Sequence, residues 1–326
     1  MKRILAALLI ALAAGGASAV APVRADGSIP PYYTVTTVQL GDGSQLEQAV
    51  ISGPPGPPSG RTVPAIHRPV ADAARGIASL SVPAYRWTFG CSATSAAMIA
   101  AYYDRSGFPN VYTGPTDGGV MPMDSSAWPR WTDGEPFTYD QCPLAASRLG
   151  LDGRAQRGSI DDYWVVYASA ANDPYIAGGW SEHAFGDAIG DYMRTSQSAF
   201  GNIDGSTAFH NWISSTAPLT CADMEARNIT HDGTYGRMLF YRARGYTVTD
   251  CYNQKTDTAG GGFSFAMYRA EIDAGRPVLL NLAGHSVVGV GYDLATSTVY
   301  LHDTWDFEMH SMAWGGSYES MPLKSV

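Results

Sequence analysis

Residues 87–105 read WTFGCSATSAAMIAAYYDR, and the placement of one cysteine in this stretch decides how the chain is read. Ala93, Ala96, Ala97 and Ala100 form a small-residue face at helical spacing, so the segment predicts a helix able to approach a sheet closely. Gly107 and Pro109 terminate it. Cys91 follows Gly90 and opens this helix, where unpaired backbone N–H groups and a partial positive charge converge. A thiol is nucleophilic as thiolate, and a helix N-terminus favours that form. A structural cysteine would instead fall among the periodic apolar positions.

A nucleophile needs a base and a group to orient it. At the other end of the chain, FSFAMYRAEIDAGRPVLLNL (263–282) predicts an amphipathic helix to Ala274, a stop at Gly275 and a buried strand over 277–282. HSVVGVGYD (285–293) and TVYLHDTW (298–305) follow as a final hairpin. With its turn centred on Leu294, His285 would face Asp303, Val287 would face Leu301 and Gly289 would face Val299. This register predicts a base and a carboxylate on one face.

These three segments resemble the Cys, His and Asp boxes of the papain-clan cysteine peptidases, and they are most similar to a secreted bacterial branch near the double-glycine leader peptidases. The resemblance covers about 60 residues, in the family's order. It implies an α+β, papain-like cysteine proteinase fold: a Cys-bearing helix packed on a C-terminal antiparallel β-sheet. It also implies a Cys91 nucleophile, a His285 general base and acid, and an Asp303 orienting carboxylate, with Trp305 shielding the His–acid contact. The implied activity is peptide-bond hydrolysis through a thioester acyl-enzyme; acyl transfer, transglutamination, amide hydrolysis and a catalytically weak binding module are the alternatives.

Two features depart from the family pattern. Tyr85 stands where papain-like sites carry a Gln that donates to the oxyanion, so Tyr85, Trp87 or another residue is expected to donate beside the Cys91 backbone N–H, with Gly284 at the substrate side. Cys91 and His285 are also 194 positions apart, which predicts a loop-rich insertion over about 111–230. There the sequence is heavy in Gly, Asp, Tyr and Trp, with short helices expected near 159–168 and 183–196.

The N-terminus bounds the setting. Lys2 and Arg3 precede an apolar run over 4–14 and an Ala17-Ser18-Ala19 site, the pattern of a secretory signal over 1–19. The predicted location is therefore secreted or periplasmic, with no stable membrane insertion. Without Lys2 and Arg3, the 21 cations fall to 19 against 30 acids, a net of −11. Such a balance argues against a nucleic-acid partner and leaves a peptide or protein substrate. Residues 20–69 predict an N-terminal extension: a β-hairpin around Gly41-Asp42-Gly43, then a Pro/Gly-rich linker. The peptidase-like domain is expected over 70–326.

Four cysteines lie at 91, 142, 221 and 251 with no CxxC pair, which argues against a structural zinc. If Cys91 is a free nucleophile, one disulfide and one buried thiol remain among the other three. No cofactor and no metal are implied. The acidic stretches NIDGST (202–207) and PTDGGVMPMD (115–124) do not fit a calcium loop and are expected to be turns. His183, His210 and His231 show no ligand spacing. His302 is expected on the face opposite Asp303, with Asp306 as a neighbouring acid. Tyr163, Trp164, Trp180 and Tyr192 are expected in the core or along a groove.

Overall fold

The computed structural model describes residues 32–326 apart from 59, 61, 113–118, 129, 133–137, 141, 147–187, 198–199 and 203–204. The signal segment, the helix expected near 159–168 and Tyr163, Trp164, Trp180 and His183 lie outside the described residues. The hairpin β1 (Tyr33–Gln39) and β2 (Gln45–Ile51) comes first, then β3 (Ile77–Ser79) and α1 (Cys91–Arg105). β4 (Arg130–Thr132), β5 (Thr138–Asp140), the one-turn α2 (Ile189–Tyr192) and β6 (Thr207–Trp212) follow. After these run β7 (Leu219–Thr220), α3 (Cys221–Ala226), α4 (Gly233–Ala243), β8 (Tyr252–Asn253) and α5 (Phe265–Asp273). The chain ends in β9 (Val278–Leu282), β10 (His285–Asp293), β11 (Thr298–His302), β12 (His310–Ala313), β13 (Ser317–Tyr318) and β14 (Met321–Ser325).

The architecture is a mixed helix and antiparallel-sheet one. The main sheet runs β12-β11-β10-β9-β14-β13, with β3 added to β10 at Gly291–Asp293. Strand β10 is buried from His285 to Tyr292, as expected of a central strand covered on both faces. Helix α1 covers one face, against β10 and β9. Its buried set includes Cys91, Ala93, Ala96, Ala97, Met98, Ile99 and Ala101, so it is apolar nearly all round and lies inside the molecule. Small side chains allow this approach, and a larger one would have to open the layer. At the far end Asp104 accepts from the Tyr112 and Met121 N–H groups, which tethers the exit loop.

Helix α4 begins where Asp232 accepts from Thr234 and Tyr235 N–H, and α5 where Ser264 accepts from Met267 N–H. Between α4 and α5, strand pairing is confined to Tyr252–Asn253 against Leu219–Thr220. Cys221 and Cys251 form a disulfide beside this short ladder, while Cys91 and Cys142 are buried free thiols. Tyr192 is buried in the core cluster shared with α1.

The N-terminal extension does not stand apart from the body. Strand β2 pairs with β6 along Leu46–Ile51, giving a three-stranded β1-β2-β6 sheet. The Pro/Gly stretch after it is bonded to the body as well: Ile66 pairs with Met309, and His310 Nδ1 donates to the Pro64 carbonyl at 2.9 Å. Alternation alone predicted the hairpin, but nothing local in a Pro/Gly run marks the surface it will cross.

Candidate active site

Cys91 occupies the first turn of α1. Gly90 precedes it at φ 144, and a Cβ on Gly90 would lie 2.7 Å from Thr195 Cγ2 and 2.8 Å from the Gly205 carbonyl oxygen. Only glycine fits this corner. Phe89 adopts φ 48, and Thr304, beside Asp303, adopts φ 71. Positive φ at a bulky and at a β-branched residue costs on the order of 1–3 kcal/mol each, and here both flank the same cleft.

The cysteine sulfur accepts from the Ser286 backbone N–H at 3.3 Å. Ser286 also ties the helix to the sheet: its Oγ donates to Asn281 Oδ1 at 2.9 Å and accepts from Ser92 at 2.7 Å, and its carbonyl accepts from Ser95 at 3.0 Å. The sequence did not single out Ser286, whose part is played by its backbone as well as its hydroxyl. The only available signal was its position next to His285.

His285 opens β10. Its Nε2 lies 2.5 Å from the Asp303 main-chain carbonyl, which can only accept, so Nε2 carries the proton and Nδ1 bears the lone pair. That Nδ1 is buried without a hydrogen-bond partner. A Cβ atom built on Gly53 would overlap Cys91 Sγ and lie 2.8 Å from His285 Nδ1, so the sulfur and that nitrogen lie close together beneath Gly53. Trp305 stacks on the imidazole at 4.4 Å between ring centroids and 26° between planes.

The predicted carboxylate role of Asp303 is corrected by this geometry. Strand β11 ends at His302, and the hairpin reverses later than expected, between Ala295 and Thr296: Asp293 faces Thr298 and Tyr292 faces Val299, and past a bulge between Gly289 and Gly291, Gly289 faces Leu301 and Val288 faces His302. His285 therefore has no strand partner at Asp303. The chain turns there, and the carbonyl of Asp303 meets the imidazole. Its carboxylate accepts from Tyr318 OH at 2.6 Å and Trp305 N–H at 2.9 Å, and lies 3.5 Å from His310 Nε2.

His310 went unremarked in the sequence. Its Nδ1 donates to Pro64 and its Nε2 to Asp306 Oδ1 at 3.0 Å, so both nitrogens carry protons. Burial alone would lower its pKa, but the Asp306 hydrogen bond and the Asp303 charge more than reverse this and raise it to about 9. Among the described residues, Asp303, Asp306 and His310 alone bring three ligand-type atoms within 4.8 Å of one another. With both ring nitrogens donating, this group is an ion-paired cluster behind the 303–306 loop. His302 is buried, and its Nδ1 faces the Glu308 carbonyl.

Tyr85 is not brought to the site. Its hydroxyl donates to the Pro122 carbonyl at 2.8 Å and its ring packs on Trp128, on the side of α1 that faces the 121–128 loop. The predicted oxyanion role for Tyr85 therefore fails, because its one O–H is spent elsewhere. Trp87 is different: Nε1 donates at 2.9 Å to the carbonyl of Gly53, the residue that covers Cys91. Gly284, at φ 116, packs against Tyr32 and Met321 just before His285.

The electrostatics are those of a shielded pair. Burial raises Cys91 to about 11, against the Ser286 and Ser92 hydrogen bonds that pull it down. Burial also lowers His285 to about 4, with the Asp303 carbonyl opposing. Desolvation thus outweighs the helix N-terminus, and the pair is thiol and neutral imidazole here.

The Peptidase_C39 like family model matches residues 192–320. That span carries His285, Asp303 and Trp305 and begins downstream of Cys91. The match supports a cysteine-peptidase type of function. Comparison with curated proteins and with solved structures returned no match. No described helix is long and apolar enough to cross a membrane.

Proposed function

We propose that this chain is an exported cysteine peptidase of papain-like fold that hydrolyses peptide bonds through a thioester. One observation carries the reading. A thiol at the first turn of a buried helix, bonded by the Ser286 N–H, lies beneath Gly53 together with the unprotonated Nδ1 of His285.

Nδ1 takes the Cys91 proton as the sulfur attacks the substrate carbonyl. The Asp303 carbonyl holds Nε2–H and so fixes the tautomer; Tyr318 and the His310 ion pair hold the Asp303 loop in place. Trp305 shields the contact between Nε2 and the Asp303 carbonyl from water. The Cys91 backbone N–H and the Trp87 indole N–H are the donors assigned to the oxyanion, the indole replacing the side-chain amide that Tyr85 cannot supply. The imidazolium then protonates the leaving amine, and the neutral ring activates the water that opens the thioester. The proposed layout is a signal over 1–19, an extension over 20–69 and a peptidase domain over 70–326 with its insertion.

Peptide-library hydrolysis by the purified chain, compared with C91A and H285A, tests this. Both variants should lose activity, and hydrolysis retained by C91A would refute the assignment. Product partition with an added primary amine separates hydrolysis from acyl transfer.

A further inference from the structure

The mechanism leaves unused the residue that lies over its nucleophile. Gly53 is buried at φ +50, with its α-carbon turned to Cys91 and His285 so closely that a Cβ would fall 2.7 Å from Cys91 Cβ. Its carbonyl accepts from Trp87 Nε1 at 2.9 Å, and the next carbonyl, of Pro54, accepts from Trp305 Nε1, also at 2.9 Å. One indole stands ahead of the nucleophile and the other lies on the base. Together they grip two consecutive main-chain carbonyls, as a cleft grips an extended peptide.

The geometry points to an autoinhibitory strap: Ser52–Pro54 occupies the substrate channel, and Cys91 becomes reactive only when the Trp87 and Trp305 clamp releases it. The word "substrate" rests on the peptidase reading above; the occlusion of Cys91 does not. The strap is moored on both sides. Upstream, β2 is paired to β6 and Ser52 N–H donates to the Tyr32 carbonyl. Downstream, Pro64 and Ile66 are held at His310 and Met309. Between these moorings Pro54 and Pro55 have no N–H to give, so the indole contacts are the ones that seat the segment over the thiol. The raised thiol and lowered imidazole are what such a cover should produce. Trp87 and Trp305 would also serve as the main-chain clamp for whatever peptide replaces the strap.

The test reads thiol accessibility on the full chain, by iodoacetamide labelling with peptide mapping at pH 8. Three variants are compared with the wild type: G53L, in which no side chain fits over Cys91; W87F/W305F, which keeps both rings and removes both N–H groups; and V70S, an exposed control. Cys91 in the wild type and in V70S should label at the same slow rate. In W87F/W305F it should label on the order of tenfold faster or more, two hydrogen bonds being lost, and in G53L at least as fast. Wild-type labelling as fast as in W87F/W305F would overturn the proposal. If G53L does not fold, W87F/W305F decides alone. In G53L, which keeps both indoles, an accessible Cys91 without peptide hydrolysis would sink the peptidase reading and leave the strap standing.

Discussion

Lowering the pH from 7 to 5 should destabilise the folded chain by about 3 kcal/mol, chiefly through two histidines. Burial holds His285 and His302 at about 4, against an ordinary value of 6.5. Between those values the unfolded chain takes up protons that the native state refuses, so stability is intact above pH 6.5 and falls as the pH drops toward 4. Each histidine then removes about 2 kcal/mol between pH 7 and 5. His310 acts in the opposite sense. Raised to about 9, it stabilises fully below 6.5 and loses that contribution as the pH climbs through 9, so it returns about 0.8 kcal/mol over the same interval. Urea unfolding at the two pH values measures the difference. H302Q and H285Q should each lose about 2 kcal/mol less than the wild type on acidification. G53L, by uncovering His285, should behave like H285Q. An identical pH dependence in the wild type and in both Gln variants would refute the claim that these rings are held neutral by burial.

The remaining predictions concern single contacts. Replacing Cys221 and Cys251 by serine opens a loop of sequence separation 30 and should cost about 3.6 kcal/mol at 25 °C, read from the urea midpoint; an unchanged midpoint would count against the bridge. G90A should cost more than about 1 kcal/mol, because its Cβ meets Thr195 and Gly205; a neutral G90A would show that this corner is looser than described. Y85F should lose about 1 kcal/mol with its Pro122 hydrogen bond and leave the Cys91 labelling rate unchanged. A large rate change in Y85F would restore Tyr85 to the site.

The positions of Cys91 and His285 were legible because each is announced locally: Cys91 by a glycine and a small-residue helix, His285 by the apolar strand it opens. With Cys91 set aside, one disulfide was expected among Cys142, Cys221 and Cys251, and only the structure shows that it joins Cys221 to Cys251. The role of Asp303 was not legible, since it turns on where the hairpin reverses, between Ala295 and Thr296 rather than at Leu294, and a count centred too early displaces every pair; the bulge at Val290, which looks like any other strand valine, moves the register by only one. Gly53 was hidden for a different reason. The residues it covers, Cys91 and His285, lie 38 and 232 positions away along the chain, and a Pro/Gly run has the same composition whether it spans solvent or fills a cleft. Tyr85 was mistaken because analogy fixes a position along the chain, whereas the direction of a side chain depends on packing around Trp128 and Pro122.

The pairing of β2 with β6 also has a consequence for how the molecule could be cut. Strand β6 has β2 as its sheet neighbour, and a fragment lacking residues 32–51 would present the main-chain groups of 207–212 as a bare edge, a template for aggregation. A nick just after Ile51 would spare that edge. The hairpin would stay docked as a separate small chain, and the product would be a two-piece protein held together without a covalent link.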